Sequence, residues 1–269
     1  MVDYGKKYQH LKVEISAEGV ALVTLNRPPH NLINIKMHTE LAEIPRELND
    51  DDDVRAVVLA ANGKNFASGG DYELFERYKD QPLKKAISRK EARDFIWNMI
   101  DLEKPAVAAV HGLATGMGCQ MALLCDIVLA ADDEKTRFSD GHMNIGVPPG
   151  DGGALIFPLL IGLGRAKQYL YTADPIYAKE AERIGLINKV VPPDQLLPAA
   201  MEWGTRLANL PTSAIRWAKA ALNQWLRVGA VNIFNYSWGL QMYAMDKPDN
   251  LEALAAMKEK RPPRFRDLK

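Results

Sequence analysis

The 269 residues are enough for one large α/β unit, and an apolar content of 47% suffices to bury an interior around a single core. The 34 basic residues balance 34 acidic ones, so no net field draws the chain to nucleic acid or to an anionic membrane. The opening MVDYGKKYQH lacks the apolar stretch of a signal peptide, and no apolar window reaches the ~20 residues needed to cross a bilayer, which predicts a soluble cytoplasmic protein.

Polar and apolar positions alternate on both sides of Glu18-Gly19, the pattern of a β-hairpin. Met37, Leu41, Ile44 and Leu48 then recur at helical spacing over 35–49. The acidic run Asp50 to Asp53 reads as a solvated loop rather than a metal site. VRAVVLAA (54–61), AVAAVHG (106–112), DIVLAA (126–131) and LINKVV (186–191) read as short buried strands. Strands that alternate with helical segments argue for α/β units with at least partly parallel pairing. Cys119 and Cys125 fall on one predicted helix, about 9 Å apart along its axis, too far to pair there. Free thiols are the expectation. From 194 to 260 the pattern is helical, with Ile215, Ala218, Leu222 and Trp225 on one stripe. Such a face must be buried against the core or a second subunit, so an oligomer is expected. The chain accordingly divides into a core over 1–195 and a helical segment over 196–269.

Two loops have the makings of an anion site. In GKNFASGGDYELF (63–75), Ser68-Gly69-Gly70 precede a predicted helix start at Asp71. In HGLATGMGCQMALLCD (111–126), a strand runs through glycines into a helix beginning near Met117. Glycines admit a ligand close to the backbone, and amides at a helix start favour negative charge. Two such loops together can aim two backbone N–H groups at one carbonyl oxygen, an oxyanion hole worth about 3 to 4 kcal/mol per donor. Gly-Gly-Asp is also an ordinary turn and N-cap.

The order and spacing of LNRP (25–28), NFASGGDYELF (65–75), HGLATGMGCQMALLCDIVLAAD (111–132), GVPPGDGG (146–153) and KEAERIGLINKVV (179–191) resemble the crotonase, or enoyl-CoA hydratase/isomerase, superfamily over about residues 10 to 260. The resemblance implies an α/β fold, a crotonase-like spiral of ββα units. It also implies that the C-terminal helices form trimers, often paired into hexamers. The oxyanion donors would be the amides of Gly70 and Met117, and the loop Ala67, Ser68, Gly69 to Asp71 would hold the adenine of coenzyme A. No separate cofactor is implied, coenzyme A being part of the substrate. One departure follows Pro28: relatives continue with a basic residue and NAL, whereas PHNLIN stands here.

The family's hydratases use two glutamates, and the matching positions hold Gln120 and His142. A positioned acid or base is worth typically ~10² to 10⁴ in rate, so their loss argues against hydration by that route. Gln120 can orient a carbonyl or a water but cannot exchange protons, whereas an imidazole can. Asp151 lies nine positions after His142 in DGHMNIGVPPGDGG (140–153). It is placed to fix the imidazole tautomer and leave the other nitrogen to activate water. Taken singly, His142 is a loop residue and Asp151 an N-cap of the next helix. Taken together they resemble the β-diketone hydrolase branch of the superfamily, 6-oxocamphor hydrolase among it, which carries the same pair at the same spacing.

The expectation is thus hydrolytic carbon–carbon cleavage of an acyl-CoA or related 1,3-dicarbonyl through an enolate. An enoyl-CoA hydratase or isomerase is the alternative, and a catalytically silent RNA-binding relative the third reading. His111 reads as structural, and His10, His30 and His38 have no partner in view. Ser68 lacks a histidine motif. Lys84, Lys85, Arg89 and Arg93 make a basic face that suits coenzyme A phosphates or simply solvent. No histidine and cysteine spacing suggests zinc.

Overall fold

The computed structural model describes residues 4–71, 82–245 and 247–265, with backbone alone for 82–89. The helix expected to begin at Asp71 runs outside the described residues, as do the side chains of Lys84, Lys85 and Arg89.

A short helix α1 (Tyr4–Lys7) leads into β1 (Leu11–Ile15) and β2 (Val20–Leu25), which pair antiparallel as the expected hairpin. Helix α2 (Ile35–Asp50) begins where the Asn34 side chain accepts from Met37 N at 2.8 Å, and it buries Met37, Leu41, Ile44 and Leu48. Three ββα turns follow. They comprise β3 (Ala56–Ala61), β4 (Ala67–Ser68) and α3 (Pro82–Asp101); β5 (Ala106–Val110), β6 (Leu113–Thr115) and α4 (Met117–Leu123); and β7 (Ile127–Ala131), β8 (Arg137–Ser139) and α5 (Gly153–Thr172). Then come β9 (Ile176–Tyr177), α6 (Ala178–Arg183) and β10 (Lys189–Val191).

The first strand of each turn joins a six-stranded sheet of order β1-β2-β3-β5-β7-β10, parallel beyond the hairpin. The second strand of each joins a four-stranded sheet of order β4-β6-β8-β9. This is the spiral that the resemblance implies.

Alternate residues of the long strands go to opposite faces. Val57 and Leu59 join the main core with Leu25, Ala108 and Val128, while Ala56, Val58 and Ala60 face a second cluster with Leu129, Leu196 and Ala200. Helix α7 (Leu196–Ala208) closes that second face. Burial on both faces is why these strands read as unbroken apolar runs.

Three expectations change. Only Lys189–Val191 of the 186–191 run is strand. Asp51 is not solvated: it is 8% exposed and accepts from Tyr4 Oη at 2.8 Å. Cys125 falls just past the end of α4, although both cysteines are buried and unpaired. Burial pushes both thiols up, Cys125 to about 12.

The remaining helices are α8 (Thr212–Leu222), α9 (Gln224–Gly229), a π-turn over Ala230–Phe234, α10 (Asn235–Ala244) and α11 (Pro248–Glu259). Lys219 fastens α8 to the sheet, donating to Asp126 Oδ2 at 2.7 Å and to Lys104 O at 2.9 Å. The opposite side of these helices is open: Leu222 and Trp225 of the predicted stripe are exposed, as are Trp217, Tyr236 and Tyr243. The chain's own core does not cover them. No helix among the described residues is long and apolar enough to cross a membrane.

Candidate active site

Parallel pairing of β4 with β6 sets Ala67 opposite Ala114 and Ser68 opposite Thr115, so the two glycine loops leave the sheet side by side. Helix α4 then packs against β4 so closely that a Cβ on Gly118 would lie 2.3 Å from Ala67 Cβ. Gly70 is held on both sides, because Ile33 N donates to Gly69 O at 2.8 Å and Asp71 N donates to Ile33 O at 3.0 Å. Met117 opens α4, where an amide has no intrahelical acceptor. Among the described residues neither the Gly70 nor the Met117 N–H has a protein acceptor. Both residues line one cavity of about 250 Å³.

His142, Asp140 and Asp151 line the same cavity. His142 starts a 3₁₀ turn (His142–Ile145) between Gly141 and Gly146. Asp140 Oδ1 accepts from His142 Nδ1 at 2.6 Å and from its backbone N at 3.3 Å. Across the ring, Nε2 lies 3.3 Å from Asp151 Oδ2. Gln120 Nε2 donates to Asp140 Oδ2 at 3.0 Å. The start of α5 accommodates this cluster because residue 153 is glycine: a Cβ there would meet Asp140 Oδ2 at 2.2 Å.

Burial pushes the His142 pKa down, but the two carboxylates outweigh it and hold the pKa well above the ordinary histidine value. Burial likewise pushes Asp151 up, and the imidazolium charge and its hydrogen bond pull the carboxyl below the ordinary range. His142 is therefore a cation between two anions at neutral pH. The donor atoms of the three residues lie within 4.8 Å of one another. The ring, however, turns one nitrogen to each carboxylate, so a single metal ion would reach only one of the nitrogens.

The structure thus brings His142 and Asp151 together, and it alters the expected division of labour. Nε2 faces Asp151, and the nitrogen expected to be free, Nδ1, is taken by Asp140, a residue the sequence reading passed over. The N-cap alternative for Asp151 fails: Gly152 caps α5 and no side chain bonds there. The Gln120 amide donates to Asp140 and also helps to hold the Asp151 carboxyl low, while Gln120 Oε1, like Asp151 Oδ1, is enclosed without a hydrogen-bond partner among the described residues. Ser68 and Gly69 line the cavity, Ala67 is fully buried, and Asp71 lies 3.2 Å from Arg27.

Of the other histidines, His111 bonds Gly63 O, His10 meets Asn34 and His30 meets Asn65. His38 lines the cavity, which its place beside an apolar stripe concealed. Trp238, Gln241, Met245 and Met257 bring the C-terminal helices to the same wall. The signal for Asp140 was its position, two residues before a histidine across a glycine.

The sequence matches the family model described as enoyl-CoA hydratase/isomerase over residues 15–268. It is 35% identical to the crotonyl-CoA hydratase of Syntrophomonas wolfei, over 96% of this chain and 98% of that protein. Among solved structures, an enoyl-CoA hydratase/isomerase from Mycobacterium paratuberculosis superposes with a TM-score of 0.86 at 30% identity, covering 91% of this chain and 97% of the other. A β-diketone hydrolase from the cyanobacterium Anabaena sp. PCC 7120, bound to (S)-3-oxocyclohexyl acetic acid, gives 0.84 at 27% identity with the same coverage, 91% and 97%.

Proposed function

The chain belongs to the enoyl-CoA hydratase/isomerase family, and from that premise we propose that it forms an enolate at the amides of Gly70 and Met117 and moves the proton with Asp151. The observation that carries this is the meeting of both amides and Asp151 in one cavity. The substrate is an acyl thioester of coenzyme A, with the loop Ala67 to Asp71 against the nucleotide. Two amide donors stabilise the charge that develops on the carbonyl oxygen. His142, protonated between its carboxylates, keeps Asp151 ionised and therefore able to accept a proton through Oδ1. Asp140 holds the ring, and Gln120 holds Asp140.

On an enoyl thioester this apparatus shifts the double bond or adds water: Asp151 takes a proton from carbon or from water, and the enolate is reprotonated as it collapses. The names of the relatives favour this reading. A second reading, carbon–carbon hydrolysis of a 1,3-dicarbonyl, is favoured by the His142–Asp151 pair and by the likeness to the diketone hydrolase. Asp151 would then deprotonate a water that attacks one carbonyl. The carbon–carbon bond breaks with its electron pair passing to an enolate at the two amides, and the proton returns to carbon from Asp151.

Product analysis separates the two. Crotonyl-CoA and a 3-enoyl thioester should give hydroxyacyl or double-bond-shifted product, whereas a keto acid formed from a cyclic 1,3-diketone would install the second reading. Calorimetry that detects no binding of acetoacetyl-CoA or of the diketone would sink both. The exposed aromatic side of α8 to α10 supports a homotrimer or hexamer, and two unpaired buried thiols suit a cytoplasmic setting.

A further inference from the structure

The proposed chemistry leaves one buried imidazole of the cavity without a task. His38 sits on α2 next to the apolar stripe, with its side chain 6% exposed. Ile33 before α2 and Ala92 and Phe95 on α3 are apolar residues that line the same cavity. Its Nδ1 is enclosed, without a hydrogen-bond partner among the described residues, and lies 3.5 Å from Glu91 Oε2. The other Glu91 oxygen accepts from Thr39 Oγ1 at 3.3 Å. Burying an imidazole that is incompletely satisfied opposes folding, and a leucine or phenylalanine would fill the place without that cost. Packing alone gives no reason for a histidine here.

We propose that His38 binds an uncharged hydroxyl group on the acyl part of the substrate, remote from the thioester. The proposal rests on the acyl-thioester reading above. The Glu91 carboxylate on the Nδ1 side favours the tautomer protonated there, which leaves Nε2 as an acceptor. The matching ligand group is a donor, and an aliphatic or phenolic hydroxyl supplies one. A carboxylated acyl chain is disfavoured, since the carboxylates of Asp140 and Asp151 line the cavity and the Glu91 carboxylate lies behind His38.

The test is calorimetric titration of the wild type, His38→Phe and His38→Leu with matched thioesters. The pairs are hexanoyl-CoA with 6-hydroxyhexanoyl-CoA and benzoyl-CoA with 4-hydroxybenzoyl-CoA, with adipyl-CoA as the carboxylate control. At least one hydroxylated member should bind about tenfold more tightly than its partner, the effect of one net hydrogen bond. Whichever apolar variant melts like the wild type should erase that preference while keeping its affinity for the unsubstituted member. Equal affinities within both wild-type pairs overturn the proposal and leave the acyl-thioester reading standing. So does a preference that survives in a folded variant, or adipyl-CoA binding as tightly as 6-hydroxyhexanoyl-CoA. Failure of the wild type to bind any of the five thioesters overturns the acyl-thioester reading together with this proposal.

Discussion

One part of the cavity wall presents main-chain amides, those of Gly70 and Met117; another presents the side chains of Asp140, His142 and Asp151. The amides carry fixed partial charges that no change of pH can remove, and their positions depend on how β4, β6 and α4 pack. The side chains carry full charges that depend on one another, since the state of His142 is set by two carboxylates. The first wall is therefore vulnerable to sterics and the second to titration.

The largest effect is expected on the titrating wall. Asp151→Asn keeps the shape and removes the proton acceptor, so kcat/KM should fall by about 10² to 10⁴ with an unchanged circular dichroism spectrum. A variant within threefold of wild type would move the proton-transfer role elsewhere. On the amide wall, Gly118→Val drives a side chain into Ala67, displaces α4 from β4 and should cost roughly 10² in kcat, the effect of misplacing one oxyanion donor. Steady-state kinetics on the variant checks this, with its melting point as the control for gross unfolding.

Asp140→Asn should be milder in rate and clear in pH dependence. A histidine whose folded pKa is raised contributes stability that is fully present below its unfolded value of about 6.5 and is lost as pH rises through the folded pKa. Asp151, whose carboxyl is lowered, contributes stability above its unfolded value of about 3.9 and loses it as pH falls through the folded pKa. The stability gap between wild type and Asp140→Asn should therefore be widest from weakly acid to neutral pH and narrow in alkali. NMR titration of the His142 ring should show its pKa falling in the variant. The smallest effect is expected for Asn65→Ala, which removes the amide bonded to Ser68 Oγ at 2.8 Å and the acceptor of Leu113 N. Loosening both glycine loops without disconnecting either should cost roughly fivefold in kcat/KM, about one hydrogen bond.

Much of the amide wall was legible in the sequence, because a backbone that must approach a ligand leaves a trace in glycine spacing. The strands that feed it were visible as well, since burial on both faces makes them uniformly apolar. The four strands of the smaller sheet, two or three residues each, are too short for any period to emerge. The charged wall was half legible. His142 and Asp151 stood out by residue type, whereas Asp140 looked like part of a turn, and only the folded 3₁₀ geometry shows that its carboxylate takes the Nδ1 proton. His38 was hidden because its neighbours on α2 state an apolar face so strongly. The stripe of Leu222 and Trp225 was visible but not its fate, because a periodic pattern shows that a face is apolar and not what covers it.

Cys119 lies on α4 two residues after Met117, fully enclosed, with a thiol that burial keeps protonated. An alkylating reagent requires both access and a thiolate, and the folded protein withholds both. Labelling of that sulfur must pass through a state in which α4 has lifted from its seat, so its rate counts the local openings of this helix. The chain thus contains its own reporter of how often the amide wall comes apart, readable by mass spectrometry before any substrate is known.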